Sequence, residues 1–207
     1  MPSICLKVSV PFCSLRKPYS RQFLETERLA PPSTVYGFLL SLVGEEDRNT
    51  HIGTRLAVAI LCRPSVSILL RTKWRIKTKK LGPGIGNNKT PDYQEILTGL
   101  SFAVWVEEGA LSDLIEIATH NPSQIDRFGG LSFGESRDMV NDVSVCDRLD
   151  RVGLWLTHDR MGHYPLPVWV DHIGSEKTCW RQFSLTENPL HEPPSEDKRW
   201  ITIGPKR

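Results

Sequence analysis

Alternation with a period of two constrains this chain more than any other feature. Between Leu70 and Lys89 the sequence reads LRTKWRIKTKKLGPGIGNNK, with Arg71, Lys73, Arg75, Lys77 and Lys79 at every second position. On a helix those side chains would be spread around the axis. On a β-strand all five project from one face, and Thr72, Trp74, Ile76 and Thr78 share the other. Like charges at this spacing repel, so the row requires either full solvation or a polyanion lying along it. A solvated edge strand, guarded by its lysines against aggregation, is the simpler alternative.

The wider charge distribution favours the polyanion. The formal net charge is only +2, yet Asn49 to Pro91 holds nine cations and no acid, Arg55, Arg63, Lys80 and Lys89 adding to the row. From Glu107 to Asp150 ten acids face three arginines. One part of the surface should therefore attract a polyanion, while another repels it or receives a basic partner.

Periodicity elsewhere gives the element order. ICLKVSV (4–10) alternates as a half-buried strand, and a basic, aromatic loop, PFCSLRKPYSRQFLETERLAPP, follows. A helix is expected after Pro31-Pro32, with Ser33 or Thr34 as N-cap, Val35, Phe38, Leu39 and Leu42 on one face, and Gly44 as its stop. RLAVAILC (55–62) and SVSILLRTKWRIKT (65–78) read as strands, the second long enough to protrude, with LGPGIGNNK as its turn. The chain returns through 90–98 to a strand at SFAVWV (101–106), and ALSDLIEIATH (110–120) carries one apolar helical face.

Short strands are expected at 153–157, 166–172, 180–185 and 200–204, with 186–198 as a polar connector. This order predicts an α+β fold: a ferredoxin-like, RNA-recognition-type βαββαβ core with a protruding β-hairpin and additional C-terminal strands. A single domain over 1–207 is expected, with the core in 1–145, the hairpin at about 66–98 and the β extension in 146–207.

Five cysteines, an odd number without a Cys-x-x-Cys pair, point to reduced structural thiols in a cytoplasm. The N-terminal segment is too short and polar for a signal peptide, and no apolar run is long enough to span a bilayer, so a soluble, non-membrane protein is expected. GPGIGNNKT superficially matches a phosphate-binding P-loop, but Asn88 replaces the required glycine and TPDYQ opens no apolar helix. His158, His163 and His172 lack partners at metal-ligand spacing, so neither a metal site nor a cofactor is expected.

RFGGLSFGESRDMVNDV (127–143) is more informative. Gly129, Gly130 and Gly134 would let backbone N–H groups approach an anion, Ser132 or Ser136 could donate to phosphate, and Phe133 could support a base. A tight turn around a buried Phe133 is the alternative.

Together, the strand feeding FCSLRKPYSRQFLETERL, the helix PPSTVYGFLLSLVG, and GGLSFGES ahead of Asn-Asp-Val resemble one family over roughly residues 4–145. It is the RAMP-superfamily CRISPR-associated subunit that caps the 5′ handle of the guide RNA in type I Cascade complexes, nearest the DevS-like, type I-B branch. The resemblance implies a non-enzymatic, crRNA-binding protein whose thumb hairpin crosses the RNA beside the first backbone subunit. The large subunit, and target DNA near its recognition motif, are further expected partners.

Carried over position by position, it makes Arg71, Lys73, Trp74, Arg75, Lys77, Lys79 and Lys80 the thumb's RNA contacts. Arg16, Lys17, Tyr19 and Arg21 become a loop near the handle, and Gly129 to Ser136 the glycine-rich loop. Trp74 could anchor the hairpin on a protein or a splayed base. One branch of the family cleaves guide precursor without metal; Tyr19, Lys17, His163 and Lys177 supply the residue types for such chemistry without matching that branch's pattern.

Overall fold

The computed structural model describes residues 3–21 and 23–205. In chain order its elements are β1 (Ser3–Cys13), β2 (Phe23–Leu24), α1 (Pro32–Val43), β3 (Arg55–Cys62), β4 (Ser65–Trp74), β5 (Lys89–Glu107), α2 (Ala110–His120), β6 (Asp142–Val145), β7 (Leu149–His158), β8 (Tyr164–Trp169), β9 (Cys179–Leu190) and β10 (Ile201–Thr202). Among the described residues these strands form one sheet ordered β6-β1-β5-β3-β7-β9-β8, with β10 on β3 and both β2 and β4 on β5. Every pairing is antiparallel except that of β2 with β5.

Alternation sorts the two faces of the sheet. Leu6, Val8, Val10, Leu56, Val58, Ile60, Phe102, Val104 and Val106 point toward α1 and α2 and join their buried side chains in the larger core. The intervening residues Cys5, Ala57, Ala59, Ala103 and Trp105 face the other way and pack with Trp155 and Leu190 in a second cluster. The small alanines leave room there for the two indoles, whose rings lie 4.5 Å apart.

Helix α1 begins at Pro32, ahead of the expected Ser33 or Thr34 cap, with Pro31 as its N-cap. A proline at the first helical position forfeits only an N–H that has no intrahelical partner, and its ring presets φ. At the other end Gly44 adopts φ 75° and donates its N–H to the last turn, stopping the helix as the sequence indicates.

β5 organises the sheet because its halves have different neighbours. Residues 101–106 lie between β1 and β3, whereas 89–98 carry β4 along one edge, with β2 at 93–94 and the end of β1 at 97–98 on the other. Gly99, at φ 74°, falls where β5 changes from β3 to β4 on one edge, while β1 keeps one register on either side of Pro11 along the other. A bulge between Ile60 and Cys62 and the turn at Arg63-Pro64 then start β4 along the outer half of β5.

The expected strand 65–78 ends at Trp74, four residues early. β9, conversely, runs to Leu190, through the first part of the expected polar connector. No helix among the described residues is long and apolar enough to cross a membrane.

Candidate nucleic-acid interface

The cation row is divided rather than continuous. Arg71 and Lys73 lie on β4, and both face Asp92 on the partner strand: Arg71 Nη2 donates to Oδ2 at 3.0 Å and Lys73 Nζ lies 2.8 Å from Oδ1. Asp92 is only 2% exposed. Burial alone would raise its pKa, but hydrogen bonds and charge from Lys73 and Arg71 outweigh burial and hold the carboxyl below the ordinary range. One carboxylate therefore engages two of the five cations inside the hairpin and offsets one of their two charges.

Beyond Trp74 the strand ladder gives way to a tip built around Asn88. Its Oδ1 accepts the backbone N–H of Lys77 at 2.7 Å and of Thr78 at 2.9 Å, while Nδ2 donates to the carbonyls of Thr78, Leu81 and Gly82. A buried amide thus replaces strand pairing, and this overturns the expected single face from Arg71 to Lys79. Arg75, Lys77, Lys79, Lys80 and Lys89 are exposed around the tip. Trp74, 70% exposed, rests on Gly84, where an added Cβ would come within 2.8 Å of the indole. Its other side remains open for contact.

A second group of predicted residues meets beyond the base of the hairpin. Main-chain bonds from Lys17 N to Glu25 O and from Glu27 N to Leu15 O fold residues 14–27 back on themselves, assisted by Leu15 N donating to Thr26 Oγ1 at 2.7 Å. At the end of this lobe Tyr19 is 88% exposed, and Arg16 Nη2 is tied to Ser20 O at 3.0 Å. Lys17 lies 3.8 Å from Glu25, and Arg21 is exposed. Gln22, in the same segment, lies outside the described residues.

Two adjoining clefts flank the lobe. One, of about 640 Å³, is lined by Arg16, Tyr19, Thr34, Gly134, Thr178 and Trp180; the other, of about 580 Å³, by Lys17, Tyr19, Arg28, His163, Tyr164 and Trp180. The N-terminal lobe, the start of α1, the glycine segment and β9 therefore converge. Trp180 and Tyr19 line both clefts, with aromatic surfaces suited to base stacking and cations nearby. Glu27 also lines both; burial first, opposed by Lys17, raises its pKa.

The glycine segment corrects another expectation. Phe133 is 1% exposed, packed against Phe38 and Phe102 at ring separations of 5.7 and 4.8 Å, and cannot support a base. Its N–H pairs with Asp138 O, and Ser132 bridges to Met139, closing a tight turn. Gly129, Gly130 and Ser136 remain exposed. Asp138 anchors the turn: its Oδ2 accepts the N–H of Ser14 at 2.7 Å and of Glu135 at 2.9 Å.

Gln94 on β5 joins the turn to the hairpin by donating to Glu135 Oε1 at 2.9 Å and accepting from Arg137 Nη2 at 2.6 Å. Sequence reasoning missed Asn88, Asp92, Gln94 and Trp180. Their available signals were polar residues at alternate positions of 88–94 and an aromatic beginning the run 180–185.

Among the described residues no group of three or more His, Cys, Asp or Glu side chains is arranged to hold a metal ion. No family model matches the sequence. The chain is similar to the CRISPR-associated protein Cas5 of Myxococcus xanthus (strain DK1622), with 38% identity over 194 residues, 89% of this chain and 90% of that protein. Its fold is similar to a chain of a CRISPR RNA-guided surveillance complex, at TM-score 0.65 and 14% identity over 96% of each chain. A crystal structure of a Cas protein is also similar, at TM-score 0.59 and 14% identity over 93% of this chain and 100% of that one.

Proposed function

From the premise that this chain belongs to the CRISPR-associated Cas5 family, we propose that it is a non-catalytic, crRNA-binding subunit of a cytoplasmic type I Cascade complex. It caps the 5′ handle of the guide and contacts the first backbone subunit, the large subunit and target DNA near its recognition motif. The observation that carries this reading is the convergence of Arg16, Tyr19, Gly134 and Trp180 on one cleft. Aromatic faces and cations there suit unstacked nucleotides, and exposed backbone near the glycines suits phosphate.

The strand order β6-β1-β5-β3, with α1 after β1 and α2 after β5, supports a ferredoxin-like core. β4 with residues 89–98 then forms the thumb, and its tip cations follow the RNA. Val66, Ile68, Leu70, Trp74 and Tyr93 occupy its opposite face and are exposed, which suits an apolar contact with the backbone subunit.

Co-expression with the neighbouring genes tests this reading: the expected product is a complex carrying one uniform short RNA that crosslinks to Tyr19 or Trp180. A complex assembled without crosslinks in residues 14–21, 71–89 or 129–136 or at Trp180 would overturn it. The observation that Lys17, Tyr19 and His163 line one cleft favours a second reading, metal-independent endoribonuclease activity, with Tyr19 or His163 as base and Lys17 near the leaving oxygen. Under the first reading the purified chain leaves guide precursor intact. Multiple-turnover cutting at one position, abolished by His163→Ala or Tyr19→Phe, selects the second.

A further inference from the structure

We propose that Cys5 and Cys146 form a reversible cross-strand disulfide that fastens β6 to β1. The register pairs Leu6 with Val145, so the next opposed pair is Cys5 with Cys146. Cys146 N donates to Cys5 O at 2.9 Å, holding the two backbones at ladder distance. Opposed residues on antiparallel strands have Cα atoms about 4.5–5.5 Å apart, within the range that disulfides span.

Both side chains lie on the same sheet face. Cys5 belongs to the cluster with Trp105 and Trp155, Cys146 packs against that cluster, and both line one cleft. Cys5 is 6% exposed, whereas Cys146 is half-buried, so a small oxidant reaches Cys146 first.

With a small-molecule disulfide such as glutathione disulfide, the Cys146 thiolate attacks one sulfur and expels a glutathione thiolate. Cys5, losing its proton, then attacks Cys146 Sγ and expels the second glutathione. Two protein thiols lose two electrons, one glutathione disulfide becomes two thiols, and the two protons pass to the leaving groups. Burial, and next the neighbouring Cys146, raise the pKa of Cys5, so closure should be the slower step and quicken as pH rises. Among the described residues β6 is the outermost strand at its edge, with only β1 as a neighbour. The bond would therefore anchor the C-terminal end of the segment that carries the glycine turn.

The test treats the full chain with glutathione disulfide, alkylates remaining thiols, digests without reduction and identifies linked peptides. The expected product joins Cys5 to Cys146, disappears with dithiothreitol, and melts about 5 °C or more above the reduced chain. Cys146→Ser should show no such rise; because its side chain is half-buried and the mapping is made on the unsubstituted chain, the result does not depend on this variant folding. A stable glutathione adduct on Cys146 with Cys5 still alkylatable after unfolding, or linkage of Cys5 to another cysteine, would overturn the proposal.

Discussion

Arg71 and Asp92 stand opposite one another across the β4–β5 ladder, and Arg71 Nη2 donates to Asp92 Oδ2 at 3.0 Å. Lys73 occupies the other carboxylate oxygen at 2.8 Å. Asp92 thus ties down both cations at the hairpin's base while offsetting one of their two positive charges, and among the described residues the cations without a carboxylate partner begin at Arg75.

Asp92→Asn should release both cations. Because phosphate contacts on a single strand each contribute about 0.7 to the log–log salt slope, the variant should bind RNA of any sequence with a slope steeper by up to about 1.4. Affinity measured across a salt series reads this directly; an unchanged slope would mean that Arg71 and Lys73 do not reach RNA even when released.

The same cluster fixes a pH dependence. The carboxyl of Asp92 titrates below its ordinary value in the folded hairpin, so its stabilisation is present above the unfolded-state value near 3.9 and is lost as pH falls through the lower folded value. Amide exchange in 71–74 and 89–92 should therefore be insensitive to this group from neutrality to about pH 5 and quicken only in stronger acid. Exchange that quickens between pH 7 and 5 would contradict the assignment.

The tip cations should act differently. Replacing Arg75, Lys79 and Lys80 together with alanine should flatten the salt slope by about 2 and leave the melting temperature nearly unchanged, because these side chains are exposed. Thr72→Ala, on the opposite face, should not alter the slope. Equal slopes for the triple variant and the unsubstituted chain would return the tip to a merely solvated turn.

Asn88 carries the tip's geometry. Asn88→Ala removes one acceptor shared by two N–H groups and one donor group shared by three carbonyls, a local loss of about 2–4 kcal/mol. Rapid amide exchange across 75–88 with little change in global melting is the expected result, since the tip lies outside both buried clusters. Asn88→Asp should loosen it too, because a carboxylate keeps the accepted bonds but faces the carbonyls of Thr78, Leu81 and Gly82 without donors.

These residues also show why the sequence is legible only in part. β1, β3, α1 and α2 announce themselves because their buried positions are apolar and periodic. The outer half of β5, KTPDYQEIL, does not: its inward residues Asp92 and Gln94 are polar, satisfied by Arg71, Lys73, Glu135 and Arg137. Their partners lie on another strand and in a distant loop. β9 hides its continuation for a similar reason, since Thr186 meets Thr157 diagonally across the ladder with their hydroxyls 2.7 Å apart. The convergence of Arg16, Gly134 and Trp180 depends on topology and leaves no local pattern.

The glycine turn gives the sharpest ranking of substitutions. Gly134 adopts φ 108°, and an added Cβ would lie 2.9 Å from both Ser14 O and Asp138 Oδ2, so Gly134→Val meets strain and backbone at once. It should displace the turn from residue 14 and weaken handle binding at least tenfold, about 1.4 kcal/mol. At Gly130 φ is not left-handed and the obstacle is the flexible end of Met139, which can swing away, so Gly130→Ala should be nearly silent. Phe133→Leu shrinks a buried ring between Phe38 and Phe102 and should lower the melting temperature by a few degrees, with binding retained once folded. Handle affinity and melting temperature together separate the cases: Gly134 acts on the cleft, Phe133 on the core. A Gly134→Val protein that binds handle RNA with full affinity would remove the turn from the interface.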